Sequence, residues 1–173
     1  MIDVNISNKV LTIGNRSDKP DGGIAQVLYS YREHVFPIFK SVVNFKRGPF
    51  AYKLWVTIAA YVQTFFRLLF DRKIRIVHIH TASDNGFRRN IAFVNLAAAM
   101  GKKVVLHIHS GRFNEYYEIH HEQVEKVFAK CTVIVALTKE LKDFYEKMGC
   151  RKVLIINNII EHPEQREIKK DDK

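Results

Sequence analysis

The sequence predicts an α/β fold, a Rossmann-like doubly wound parallel sheet, and three observations carry that prediction. Short apolar runs rich in Val and Ile alternate with longer segments of helical character along most of the chain. That is the rhythm of strand–helix–strand units, which build parallel sheets. Two of the runs, 76–80 and 104–109, are apolar except for histidines, as strands covered on both faces read. Both break into small polar loops at their carboxyl ends, where open parallel sheets hold ligands.

Taken in order, residues 10–13 form a first strand and a polar loop runs from Gly14 to Gly22. A helix over 23–33 leads to a second strand at 41–45, closed by the turn Gly48-Pro49. A long helix covers 50–71 and a third strand 74–80. Asp84 is the expected N-cap of the next helix, which stops at Met100-Gly101, Gly being the usual residue past a helix end. A strand at 104–109, a helix at 116–130 and a strand at 132–136 follow. Thr138 caps a helix over 139–148, Gly149 ends it, and 153–156 closes the series. From residue 162 the chain is almost wholly polar. The expected division is therefore one domain over 1–161 and a charged linker or tail over 162–173.

The chain has 173 residues, 47% of them hydrophobic, which suits one domain with one sizeable core. Its 28 Lys and Arg against 18 Asp and Glu leave a net charge of +10. Such a balance favours phosphate-bearing ligands, nucleic acid or anionic membrane surfaces. No nucleic-acid-binding motif accompanies it, so nucleic acid is not an expected partner. The two cysteines, Cys131 and Cys150, stand in no metal-binding spacing and read as buried thiols of a reduced, cytoplasmic protein. The N-terminus lacks the basic-then-apolar pattern of a leader, and the longest apolar stretch, 54–66, is shorter than the ~20 residues of a spanning helix.

Four places carry chemistry. Gly22-Gly23 lies where the first strand hands over to its helix, so the backbone can approach an anion at a helix N-terminus. The dinucleotide fingerprint G-x-G-x-x-G is absent, which counts against a nicotinamide enzyme. His80 and His109 stand at the carboxyl ends of two strands, with His78 and His107 two residues deeper on the same faces. The deeper pair reads as core; the outer pair, and His109 above all, as ligand-facing. Zinc and its relatives want three or four ligands, and the sequence shows no clear third, so no metal is expected. Ser110-Gly111-Arg112 then joins a hydroxyl, a flexible link and a cation in one loop, while Arg88-Arg89 offers cations to a phosphate or acidic sugar. No G-x-S-x-G elbow surrounds Ser110, so it is not expected to act as a nucleophile.

Residues 45–73 interleave basic and aromatic side chains. Leu54, Ile58, Tyr61, Val62, Phe65, Leu68 and Leu69 have the period of a sheet-covering face. The other aromatics and their basic neighbours suit a membrane interface.

Together, the Gly22-Gly23-Ile24 loop, the strand ending at His80, the turn His107-Ile108-His109-Ser110-Gly111 and the segment 134–141 resemble the N-terminal domain of retaining GT-B glycosyltransferases, family four type. Residues 153–161 resemble that family's domain-closing Asn-Gly-Val-Asp stretch, with Asn158 in place of its glycine. The resemblance implies the N-terminal half of a GT-B fold that binds the acceptor, in a transferase of polysaccharide or glycolipid biosynthesis. It implies a nucleotide-sugar donor, a glycan or lipid-linked acceptor, and no metal or other cofactor. It places Gly22 and Gly23 near the donor diphosphate and gives His109 the catalytic position, with His80, Ser110, Gly111 and Arg112 binding donor diphosphate or acceptor. The family's paired glutamates, seven residues apart, have no counterpart here, so the donor-binding domain is expected outside this chain and the chain alone is expected to be inactive. The alternatives are a stand-alone subunit of a split glycosyltransferase, recruited to the inner face of a membrane through 45–73, and an unrelated nucleotide-binding Rossmann protein.

Overall fold

The computed structural model describes residues 1–19, 22–150 and 152–158. The expected domain end at 161 and the tail over 162–173 lie outside the described residues. Six strands, β1 (Val10–Asn15), β2 (Lys40–Phe45), β3 (Ile76–Thr81), β4 (Lys103–Ile108), β5 (Val133–Ala136) and β6 (Val153–Ile155), form one sheet in the order β2-β1-β3-β4-β5-β6. Every neighbouring pair is parallel. The sheet is Rossmann-like and doubly wound, as the sequence predicts.

Helix α1 (Val4–Ser7) precedes the first strand, and α2 (Gly23–Ser30), α3 (Phe50–Phe70), α4 (Asp84–Ala99), α5 (Phe113–Phe128) and α6 (Lys139–Lys147) connect the strands. Strand residues of alternating parity feed two cores. Leu11, Ile13, Val77, Ile79, Val104, Leu106 and Ile108 pack with α3 to α6 in the larger one. Val10 and Ile76 belong to the smaller, with Val27 and Tyr31 from the α2 side. Four helices thus cover one face, and α2 with the turn that follows it covers the other. β1 leads through α2 to β2 on one side, and the chain then crosses back to β3 on the other. The order therefore reverses between β1 and β3, and the crevice beyond their carboxyl ends is where such sheets bind ligands.

Several element bounds differ from expectation for local reasons. The α1 turn was not expected, being too short for periodicity to show; the Asp3 carboxylate caps it, accepting from the backbone N–H of Asn5 at 2.7 Å. The helix expected over 23–33 ends as an α-helix at Ser30 and continues as one π-helical turn, Tyr31–Val35. β3 starts at Ile76, because Asp71 holds the preceding turn by accepting from the Lys73 backbone N–H at 3.1 Å. Ser83, not Asp84, is the cap of α4; Asp84 is its first residue, at a φ of 55°. α5 begins at Phe113, three residues early, and bends at His120 (φ −128°).

The largest departure concerns α3. The expected sheet-covering face is mostly exposed: Leu54, Ile58, Tyr61, Val62, Phe65 and Leu69 all keep at least 38% of their surface, and only Leu68 is buried. The residues that face the sheet are Ala60, Thr64 and Leu68, spaced by four. Thr64 is accommodated there by donating its hydroxyl to the Ala60 carbonyl at 2.8 Å. Two small residues let the helix lie close to the sheet on a narrow stripe, which leaves its large side chains outside.

Candidate functional site

At the switch point the chain has almost no room. Gly14, near the end of β1, sits where a Cβ would stand 2.8 Å from Leu28 Cδ1 and 3.3 Å from the His80 Cβ. A glycine therefore lets α2 and β3 close together there. Around it, four histidines meet on the α2 face. β3 and β4 run in register with His80 beside His107, so His78, His80 and His107 share a face by the two-residue period, and His109 follows at the mouth. The His80 and His107 rings are 5.0 Å apart, and those of His107 and His109 4.1 Å. Tyr31 closes the cluster from the α2 side, its ring 5.6 Å from that of His80.

His78, His80 and His107 are no more than 8% exposed. Burial disfavours the charged imidazolium, and the rings also repel one another's charge. Burial first, and the nearby His109 second, lower His78 to about 3. The same two causes lower His107 to about 2, with His78 adding to them. Burial brings His109 to about 4, against the Asn158 hydrogen bond that raises it. His80 is likewise held well below the ordinary value by burial and then by the other three rings. All four are neutral at pH 7.

Hydrogen bonds fix the outer pair. His80 Nδ1 lies 2.8 Å from His109 Nε2, and His109 Nδ1 lies 3.1 Å from the Asn158 side-chain carbonyl. The His109 backbone N–H donates to the Thr81 carbonyl at 2.7 Å, which ties the loop after β4 to the end of β3. On the far side of β3, Asn90 of α4 is 1% exposed. Its amide donates to the His80 carbonyl at 3.2 Å, and its side-chain oxygen accepts from Asn44 Nδ2 at 2.6 Å.

A cleft of about 710 Å³ opens beside this cluster, with walls from Ile24, Phe45, Leu54, His80, Asn85 and Arg89. Arg89 stands 4.6 Å from the centre of the Phe45 ring, a cation–π distance, and its buried Nε has no hydrogen-bond partner among the described residues. Lys53, on the first turns of α3, adds a second cation to the lining. The cleft thus combines apolar walls with two cations, a setting that suits an anionic group attached to an apolar or ring-shaped body.

The structure joins some of the predicted residues and separates others. His80 and His109 are in contact. The Ser110 hydroxyl donates to Ser83 Oγ at 3.3 Å, beside them. Gly22 caps α2 at a φ of 104°, and Gly23 starts that helix, whose Ile24 lines the cleft. Gly111 is exposed, and Arg112 is an exposed residue whose guanidinium faces Glu115 at 4.0 Å, turned to α5. His78 and His107 are buried, as expected, yet they complete a cluster: with His80 they bring three ring nitrogens within 4.8 Å of one another. The third histidine that the sequence reading lacked thus stands with the other two. Asn158, Asn90 and Asn44 were not singled out as contacts. Asn158 was visible as a polar side chain where the family has glycine, and Asn90 as a polar residue within the buried stripe Phe87, Asn90, Val94, Ala97 of α4.

A parallel Rossmann-like sheet with a polar cluster and a cationic cleft at its switch point fits one half of a GT-B fold, the architecture of one large class of glycosyltransferases. The family model described as Glycosyltransferase Family 4 matches residues 21–162, and the chain belongs to that family, as an N-terminal domain. No match is found among curated proteins.

Proposed function

We propose that this chain supplies the acceptor side of a retaining glycosyltransferase that moves a sugar from a nucleotide-sugar donor to a lipid-linked acceptor. The observation that carries the reading is the cleft at the switch point, with His80 at its inner end and Arg89 and Lys53 in its lining. The cations suit a phosphate group of the acceptor, and the sugar end reaches the mouth of β3 and β4. There His109 acts on the reacting hydroxyl. Its Nδ1–H is held by Asn158, and an acceptor or donor hydroxyl takes Asn158's place as its partner. Gly22 and Gly23, at the N-terminus of α2, lie toward the donor diphosphate, where unpaired N–H groups favour an anion. Ser110 borders the site from the other side, and Gly111 and Arg112 continue its loop toward α5.

Stabilising a leaving diphosphate needs preorganised positive charge, which the family carries in its donor domain. We assign that domain to residues outside 1–173 and expect this chain alone to show no turnover. The test is an amide NMR titration of the chain with a short lipid-diphosphate-linked sugar and, separately, with nucleotide sugars. Shifts confined to 81–90, 109–116 and the first turns of α3, saturating with the acceptor only, support the reading. Saturable binding of a nucleotide sugar with ordinary turnover refutes it.

The exposed face of α3 favours attachment to a membrane surface. Trp55, Phe66 and Phe70 are 67%, 49% and 74% exposed, with Lys53, Arg67, Arg72 and Lys73 close by in sequence. Among the described residues no helix is long and apolar enough to cross a membrane. We assign the chain to the inner face of a cytoplasmic membrane, bound peripherally through α3. Anionic vesicles should co-sediment it, and the pair Trp55→Ser and Phe66→Ser should reduce binding at least tenfold; unchanged binding would remove α3 from the interface.

A further inference from the structure

The orientation of Asn158 fixes a chain of protons. Its side-chain carbonyl can only accept, so His109 Nδ1 carries the hydrogen and His109 Nε2 carries the lone pair. That lone pair faces His80 Nδ1 at 2.8 Å, so His80 Nδ1 is the N–H donor of the pair. His80 Nε2 is then a bare lone pair. It is buried, and it has no donor among the described residues. The His78 Nε2 atom is also buried without a hydrogen-bond partner among the described residues, and the buried His107 nitrogens have no polar contact beyond the Ile156 backbone. Buried polar atoms are nearly always satisfied, and several unsatisfied nitrogens converging from three rings call for a common partner.

We infer that His78, His80 and His107 form a binding site for a divalent transition-metal ion of the zinc class. One ligand nitrogen from each ring already lies within 4.8 Å of the other two. A zinc ion bound at ~2.0–2.1 Å by three imidazoles spaces the nitrogens at roughly 3.4 Å, so small side-chain rotations close the set. Three histidines with a fourth position open is a known zinc ligand count. The support around the ligands is of the kind such sites have. A ligating histidine donates its other N–H to an outer partner, and His80 Nδ1–H donates to His109 in just that way. The ligands sit on adjacent parallel strands, so the backbone spacing of β3 and β4 holds them rigidly. The site departs from the expectation that this family uses no metal, and it does not depend on the transferase reading.

The test uses the full 173-residue chain without an affinity tag, stripped with chelator, and Co(II) as the probe. One equivalent of Co(II) should bind, with the visible absorption of a four-coordinate ion, and Zn(II) should displace it. Long-range proton–nitrogen spectra of the unaltered chain should then show coordination shifts at His78, His80 and His107, with His109 keeping its Nδ1–H form. His107→Phe should weaken Co(II) binding more than tenfold; should that variant fail to fold, the spectra of the unaltered chain decide. Absence of stoichiometric uptake overturns the inference. So does uptake whose shifts fall on His34, His120 or His121 instead.

Discussion

Replacing Asn90 by Leu tests how the end of β3 is held. The Asn90 side chain bridges two partners: it donates to the His80 carbonyl at 3.2 Å and accepts from Asn44 Nδ2 at 2.6 Å. Leu has the same branched skeleton with bulkier methyl ends, so the core loses polar contacts without gaining a cavity. The lost bond to His80 costs about 1 kcal/mol, and leaving Asn44 Nδ2 buried without a partner adds about 1–3 kcal/mol. The single variant should thus be destabilised by about 2–4 kcal/mol. Asn44 Oδ1 is already buried and unpartnered, so Asn44→Leu together with Asn90→Leu removes every orphan of the pair at once. The double variant should recover most of the loss, with a coupling of about 2 kcal/mol between the two sites. Urea unfolding of the four proteins in the cycle measures it. Strict additivity, or a loss below ~1 kcal/mol for Asn90→Leu, would show that the Asn44–Asn90 bond does not hold β3.

Two other outcomes follow from the same geometry. In metal-free protein, unfolded histidines bind protons near pH 6.5 while His78, His107 and His109 resist them down to about 3, 2 and 4. Their contribution is fully present above pH 6.5 and is lost as the pH falls through the window toward those folded values. The unfolded histidine is half protonated at pH 6.5, so each costs about 1 kcal/mol between pH 6.5 and 5.5, and the three together about 3 kcal/mol; equal urea midpoints at pH 7 and 5.5 would contradict this. Gly14→Ala should destabilise by about 1–3 kcal/mol, because its Cβ would meet Leu28 and His80 at 2.8 and 3.3 Å. A crystal structure or amide spectrum should show α2 displaced, and an unshifted spectrum with unchanged melting would disprove the tight approach.

The strands were legible because their apolar runs are uninterrupted and end in polar loops. β4 was marked by Val104 to Ile108, and its mouth by His109. The buried face of α3 was not. Hydrophobic periodicity presumes that the large apolar side chains seek the sheet, and here Ala60 and Thr64 take that place while Leu54, Ile58 and Phe65 stay outside. In the site, the outer histidines could be found from their positions at strand ends. The convergence of His78 with His107 could not, because it depends on which strands become neighbours and in what register. Asn90 and Asn44, 46 residues apart in sequence, are partners for the same reason.

The strand order also bears on how the chain assembles. β3, β4 and β5 each pair with the next strand in sequence, so the contacts along β3 to β6 close short loops. β1 must instead wait for β3, across all of α2, β2 and α3. Short-range pairings form fast and long-range ones slowly. The four later strands with α4 to α6 are therefore expected to fold first, with β1, α2 and β2 docking last. The same division governs opening of the native state, since late-docking segments are the ones that detach at least cost. When β1 and α2 lift away, the histidine face of β3 and β4 loses its cover, so hydrogen exchange at β1 should report the moments at which solvent reaches the buried imidazoles.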